Sequence, residues 1–198
     1  MIKEMNTRIC FKQTDDDYIN WLIQTLGPVI LGVKPAEILS FPKNDVNIAD
    51  KISKIRFFFK DCRKISFKIF RYNEKSTKIL FYTPKSLDSV LIDKRNNKFL
   101  ISIGYPKAYS LESYLNYIIE KMKGGTIPDE IGIFLGYPLK DVMGFIGHPS
   151  LKLTKVKGWR VYGDSTLSDK RYNEFLNAKF RVKNILACSG IDTILAYT

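Results

Sequence analysis

One stretch of the chain, residues 48–83, limits the possible folds more than any other, because its hydrophobic period changes abruptly. Its first part repeats apolar residues at the spacing of one helix face. That stripe consists of Ile48, Ile52, Ile55, Phe59 and Cys62. Residues 65–70 then alternate along the chain, and residues 78–83 form a more apolar run after a polar turn. Two strand-like runs joined by a short turn predict an antiparallel hairpin that follows an amphipathic helix.

The remaining patterns are mostly helical, so we expect a mixed α/β fold of the α+β type. We predict a small, mostly antiparallel sheet of about 3–5 strands packed with about 6–7 helices. The 198 residues fit a single domain, residues 1–198, and a hydrophobic content of 45% suffices for a core. Four local expectations accompany this fold: a bend or end of the first helix at Gly27-Pro28, a break or kink at Asn96-Asn97, a loop over residues 151–157, and a short strand within residues 191–197.

The sequence carries no evident signal for secretion, membrane insertion or metal binding. No apolar run approaches the roughly 18–20 residues of a membrane-spanning helix, and residues 1–8 lack the apolar centre of a secretory signal. The three cysteines, Cys10, Cys62 and Cys188, are far apart, and the chain has one histidine, which disfavours a zinc site. We therefore expect a cytoplasmic protein without a metal or another cofactor.

Positive charge is distributed unevenly along the chain. The net charge is +12, and residues 51–78 alone contain ten basic and two acidic residues, a net of +8. Such a segment can bind nucleic acid, an anionic membrane surface or an acidic partner. A charge run is more often a helix face or strand edge in contact with water. We favour the solvated surface and keep nucleic-acid binding as an alternative.

The residues with candidate chemistry are concentrated in residues 128–164, which we call the central segment. It contains two short helical patterns that begin at prolines and include the carboxylates Asp129, Glu130 and Asp141. Carboxylates held close together can act as acid and base or bind a cation. Carboxylates in the first turn of a helix are also favoured by the helix dipole alone, so a structural role is the alternative.

The rest of the central segment offers a histidine and a run of aromatic and charged side chains. His148 lies in a Gly-His-Pro loop, a position where function is common, but it has no evident triad partner. Four residues in and after a predicted strand could hold an anion or stack a base; they are Trp159, Arg160, Tyr162 and Asp164. Alternatively, Trp159 faces the core while Arg160 and Tyr162 face solvent. The recurring glycines lack the spacing of a nucleotide-binding loop, so close helix packing explains them better.

The order of these residues resembles a protein family. Residues 130–142 read E-I-G-I-F-L-G-Y-P-L-K-D-V, and residues 159–164 read W-R-V-Y-G-D. Together with Lys34-Pro35-Ala36, they resemble the family catalogued as domain of unknown function 3793, found mainly in clostridia and related anaerobes. The resemblance covers most of the chain and implies no activity. Family members commonly carry a histidine at Asp129 and a cysteine at Phe180, so their replacement here disfavours a metal or thiol mechanism.

Three functions are compatible with the sequence. The first is a cytosolic, non-catalytic domain that binds a small ligand or a protein through the central segment. The second is an enzyme that uses Glu130, Asp141 or His148 as acid and base groups, which requires a pocket where these residues converge with Tyr137. The third is nucleic-acid binding through residues 51–78, with strong salt dependence. The candidate binding residues are Glu130, Tyr137, Asp141, His148, Trp159, Arg160, Tyr162 and Asp164.

Overall fold

The computed structural model describes residues 16–189, in which eight helices and five strands form a mixed α+β fold. The helices are α1 (Asp17–Ile30), α2 (Ile48–Phe59), α3 (Pro84–Leu91), α4 (Lys94–Ser102), α5 (Leu111–Lys123), α6 (Ile131–Phe134), α7 (Leu139–Ile146) and α8 (Thr166–Ser189). The strands are β1 (Ala36–Pro42), β2 (Ser66–Asn73), β3 (Ser76–Tyr82), β4 (Leu153–Lys157) and β5 (Trp159–Tyr162). The predicted fold class is confirmed, with one helix more than the expected range.

The larger sheet has three antiparallel strands in the order β1-β3-β2, which confirms the predicted hairpin of β2 and β3. Helices cover both faces of this sheet, so the central strand β3 is largely buried. Ile79 and Phe81 belong to a core layer shared with α1, α2 and α8, whereas Leu80 and Tyr82 pack with α3 to α7. The alternation of side chains along β3 therefore contributes to two separate core layers.

A second sheet consists, within the described residues, of β4 and β5 paired antiparallel around a turn at Gly158. Gly158 has φ +74°, a left-handed conformation that glycine adopts without steric cost. A loop was predicted over residues 151–157, but Leu153–Lys157 form β4, so the prediction is wrong for these residues. Leu153 and Val156 are 53% and 70% exposed, so this strand has no buried face that could produce an alternating pattern. Pairing with β5, rather than burial, forms it.

Helix α1 begins where predicted and continues past the point where a bend or end was expected. The Asp16 carboxylate caps it by accepting hydrogen bonds from the backbone N–H groups of Tyr18 at 2.9 Å and Ile19 at 3.2 Å. The helix includes Gly27-Pro28 and ends at Ile30. Because the proline lies in the last turn, its missing N–H removes one hydrogen bond close to the natural end of the helix.

The break between α3 and α4 lies at Ile92-Asp93, and α4 is continuous through Asn96-Asn97, so a break at that point, one of the two predicted forms, is wrong. The Asp93 carboxylate caps α4 by accepting from the backbone N–H groups of residues 95 and 96 at 3.0 Å and 3.2 Å. The Asn96 amide donates to the Val90 carbonyl oxygen at 2.9 Å and so ties the two helices together. Residues 191–197, for which a short strand was predicted, lie outside the described part of the chain.

Candidate functional site

The central segment folds into the short helices α6 and α7, which meet at a glycine corner. Gly136 has φ +80° after α6, and Pro138 precedes the first residue of α7. A methyl group on Gly136 would lie 2.5 Å from Cδ of Pro35, so this corner reaches the start of β1 only because glycine has no side chain. The corner therefore joins two parts of the family pattern that are far apart in the sequence.

Asp141 is the centre of a hydrogen-bond network that joins α7 to β5 and α8. The residue is 2% exposed. Its Oδ1 accepts from the backbone N–H of Tyr162 at 2.9 Å and from Nζ of Lys140 at 2.6 Å. Its Oδ2 accepts from Nε1 of Trp159 at 2.8 Å and from Oγ of Ser168 at 2.6 Å. These four bonds use the usual accepting capacity of a carboxylate, so Asp141 is fully satisfied in place.

Lys140 supplies the positive charge that balances the buried carboxylate. Besides Asp141, its ammonium donates to the Tyr162 carbonyl oxygen at 2.8 Å and to Ser168 Oγ at 2.8 Å. Three donors therefore meet three acceptors. A buried carboxylate without a cation would carry a large desolvation penalty. The ion pair thus fixes β5 and the first turn of α8 against α7.

Two glycines allow these elements to pack closely. A Cβ atom on Gly144 would lie 2.5 Å from Cβ and 2.6 Å from Cδ1 of Tyr162. A Cβ atom on Gly132 would lie 2.8 Å from Cγ2 of Val142 and 3.1 Å from Cδ2 of Tyr137. All four separations are shorter than ordinary van der Waals contacts, so these glycines serve the close packing that the sequence predicted.

Tyr137 and Trp159 form a wall between two concavities. Their rings stack with centroids 4.4 Å apart and an interplanar angle of 14°. The concavity on one side is about 200 Å³ in volume, and Lys34 lines it, buried and paired with Glu37 at 2.7 Å. The concavity on the other side has more than twice this volume and is the better candidate for a ligand site.

The larger concavity, which we call the Trp159 cleft, has a volume of about 450 Å³. Most of its lining residues are apolar or aromatic: Ile127, Pro128, Ile131, Gly132, Tyr137, Val142, Phe145, Gly158 and Trp159. Three charged residues complete the lining, namely Asp129, Asp141 and Arg160. Ile127 and Phe145 are each 44% exposed, so apolar surface is open to solvent in the cleft. Small-molecule sites in proteins have this size and this mixture of groups.

Tyr137 should give the fold a measurable dependence on alkaline pH. Burial, reinforced by the charge of Glu37, raises the pKa of Tyr137 to about 12, whereas tyrosine in an unfolded chain ionises near pH 10. The fold favours the neutral phenol, so its contribution to stability is complete below about pH 10 and is lost as the pH rises through about 12. Between about pH 9 and about pH 11, we expect the wild type to lose about 1 kcal/mol more stability than Tyr137→Phe in urea unfolding. Equal losses would contradict this assignment.

Glu130 does not line the Trp159 cleft, although its neighbours Asp129 and Ile131 do. The residue is 4% exposed, forms an ion pair with Lys121 and accepts a hydrogen bond from the Tyr105 hydroxyl at 3.2 Å. Burial and the neighbouring Glu130 carboxylate raise the pKa of Tyr105 well above its usual value, so this hydroxyl stays a donor. Glu130 therefore ties the start of α6 to α5 and does not meet Asp141 in a common pocket.

Three other candidate residues also lie outside the lining of the cleft. His148 is exposed after α7, with Nδ1 3.0 Å from Oγ of Ser150. Asp164 precedes α8, where hydrogen bonds from the backbone N–H and hydroxyl of Thr166 lower its pKa. Tyr162 is buried, with its side chain against α7, so the interpretation that it faces solvent is wrong. The candidate residues that share the cleft are Tyr137, Asp141, Trp159 and Arg160.

Several lysines of the basic segment, residues 51–78, are engaged within the fold. Three of them form ion pairs shorter than 3 Å: Lys51 with Asp45 at 2.6 Å, Lys54 with Asp16 at 2.7 Å and Lys68 with Glu112 at 2.5 Å. A fourth, Lys78, is buried, donates to Ser40 Oγ at 2.5 Å and has its pKa lowered by desolvation. Part of the positive charge of this segment is therefore neutralised or withdrawn from solvent.

Sequence reasoning did not identify the residues that complete the site. Ser168 is 27 residues from Asp141, and no local pattern links the two. Lys140 could have been identified from the sequence, because it is the cation adjacent to the carboxylate in the first turn of α7. Phe145 could also have been identified, since this aromatic residue after Gly144 does not belong to the buried face of the helix.

The family model described as protein of unknown function (DUF3793) matches residues 22–194. The chain belongs to DUF3793. The matched range includes every residue of the Trp159 cleft and of the Asp141 network. No curated protein and no solved structure matches this DUF3793 chain.

Two further observations apply to residues 16–189 of this DUF3793 protein. None of their helices combines the length and the apolar character needed to cross a membrane. None of their His, Cys, Asp and Glu side chains gather in a group of three that could hold a metal ion.

Proposed function

We propose that this protein is a cytoplasmic, non-catalytic domain that binds a small, largely apolar molecule in the Trp159 cleft. The observation that carries the proposal is an open cleft of about 450 Å³ with mostly apolar walls. One wall is an indole fixed at its edge by Asp141 and on its face by Tyr137. A ring that is already held in place loses little conformational freedom when a ligand binds against it.

The charged residues favour binding over acid–base catalysis. A general base needs a lone pair that is available to the substrate proton. Both oxygens of Asp141 already accept two hydrogen bonds each. Releasing one of them would leave a donor such as Trp159 Nε1 without its partner, which is costly in a buried site. Asp141 therefore supports the wall of the cleft, and Glu130 lies elsewhere.

The neutral fluorescent probe N-phenyl-1-naphthylamine tests this proposal, because its emission rises when it leaves water for an apolar site. The chain has two tryptophans, so a Trp21→Phe background leaves Trp159 as the one intrinsic reporter. We expect the probe to bind and to quench Trp159 emission. In this background, Phe145→Ala should weaken binding about tenfold, because loss of an aromatic contact of about 1.4 kcal/mol changes affinity by that factor.

Phe180→Ala is the matched control. Phe180 is 54% exposed on α8 and does not line either concavity. We expect this variant to bind the probe within about twofold of the parent protein, since no contact is lost. Two outcomes would overturn the proposal: equal weakening by both substitutions, or probe binding that leaves Trp159 emission unchanged.

A further inference from the structure

The charges that line the Trp159 cleft differ in whether they are available to a ligand. Asp141 is neutralised by Lys140 and saturated with hydrogen bonds. Asp129 and Arg160 are exposed, and neither has an ion-pair partner within residues 16–189. Among the described residues, a ligand in the cleft therefore meets one available anion, Asp129, and one available cation, Arg160.

Arg160 is distinguished from the other cations of its hairpin. Lys155 and Lys157 both pair with Asp169, at 2.6 Å and 3.7 Å. Among the three cations on β4 and β5, Arg160 is thus the one without a carboxylate among the described residues. Because no carboxylate within residues 16–189 occupies it, its guanidinium retains its donors for an external acceptor.

Arg160 is also held in place at the cleft. Its guanidinium carbon lies 5.4 Å from the centroid of the Phe145 ring, a separation typical of a cation–π contact. Both side chains line the Trp159 cleft, so the contact orders the cation beside the apolar wall. No described side-chain contact orders Asp129 in a comparable way.

We propose that the ligand of the Trp159 cleft is an organic acid, with an apolar body against Trp159 and Phe145 and one anionic group on Arg160. This inference rests on the proposed function and names its ligand class. A guanidinium presents two parallel N–H donors that match the two oxygens of a carboxylate or the oxygens of a sulfonate. The net charge of +12 adds a long-range attraction for anions. Asp129 opposes binding of an acid, and its removal should strengthen it.

A pair of related probes tests the ligand class. N-Phenyl-1-naphthylamine is neutral, and 8-anilino-1-naphthalenesulfonate is the same ring system with one sulfonate. We expect the wild type to bind the sulfonate more tightly. Arg160→Gln should weaken the sulfonate about tenfold and change the neutral probe by no more than about twofold, because a charge-assisted pair is lost while the apolar walls remain.

Arg95→Gln is the matched control for net charge, since Arg95 is exposed on α4 and does not line the cleft. It should leave both affinities unchanged, and Asp129→Asn should strengthen the sulfonate alone. If Arg95→Gln weakens the sulfonate as much as Arg160→Gln does, the preference is a long-range charge effect and the inference fails. If Arg160→Gln leaves the sulfonate unchanged while the neutral probe still binds, Arg160 does not recognise an acid and the proposed function stands alone. If neither probe binds the wild type, both proposals fail.

Discussion

Replacing Asp141 by alanine is expected to lower the free energy of unfolding by about 3–5 kcal/mol, the usual cost of removing one partner from a buried ion pair. The substitution leaves Lys140 without its anion, and it leaves Nε1 of Trp159 and the backbone N–H of Tyr162 without acceptors. A loss of this size is a large fraction of the stability of a typical domain. Urea unfolding followed by far-UV circular dichroism measures it.

Two further variants distinguish the loss of the hydrogen-bond network from the loss of a negative charge. Asp141→Asn keeps the shape of the side chain and one accepting oxygen. Its amide N–H groups replace the other oxygen and face the two donors that this oxygen accepted from. We therefore expect an intermediate loss of about 2 kcal/mol in the free energy of unfolding. Asp129→Ala removes an exposed carboxylate that has no ion pair among the described residues, and we expect a change within about 0.5 kcal/mol. If Asp141→Ala is no more destabilising than Asp129→Ala, the network does not support the fold as described.

Replacing Gly144 by alanine is expected to destabilise the protein by at least about 2 kcal/mol, because overpacking costs of this order arise where neighbours cannot move away. The added methyl group would lie 2.5 Å from Cβ of Tyr162, an atom next to the backbone of β5. In a helix without this neighbour, alanine would be favoured over glycine by about 1 kcal/mol. A loss of stability therefore indicates the contact with Tyr162, whereas a gain indicates its absence. Urea unfolding measures the change in the free energy of unfolding.

Gly124→Ala is the matched control for Gly144→Ala. Gly124 follows α5 with φ −70°, and a methyl group there would lie 3.5 Å from the Lys121 carbonyl oxygen, an ordinary contact. We expect a change within about 0.5 kcal/mol. In a double-mutant cycle, Gly144→Ala and Tyr162→Ala should be less than additive, because removing the ring relieves the clash. Full additivity would mean that the two residues are not in contact.

Local periodicity was sufficient to predict those helices and strands whose buried side chains recur regularly along their own sequence. Helix α2 and the β2–β3 hairpin follow from residues 48–83 because each has one face or strand in the core. The α5 cap was predictable for a similar reason, since Ser110 accepts from the backbone N–H of Ser113 at 3.1 Å within one turn. Strand β4 was not predictable, because neither of its faces is buried enough to leave a pattern.

The site was less predictable than the fold because its contacts are between residues far apart in sequence. Trp159 and Asp141 were both candidates, but the hydrogen bond between them spans 18 residues and joins different elements. The family resemblance located the relevant segment without explaining it. In the structure, Gly136 and Gly144 leave room for Pro35 and Tyr162, respectively. Asp141 holds Trp159 by a hydrogen bond, and both residues line the cleft.

The most direct test of this account is a crystal structure of the wild-type protein with N-phenyl-1-naphthylamine bound. We predict electron density for the probe in the Trp159 cleft, in contact with Trp159, Val142 and Phe145, with the hydrogen bond between Trp159 and Asp141 intact. Density for the probe at another apolar surface, such as that around the exposed Phe57, with the cleft filled only by water, would contradict the assignment of the Trp159 cleft as the ligand site.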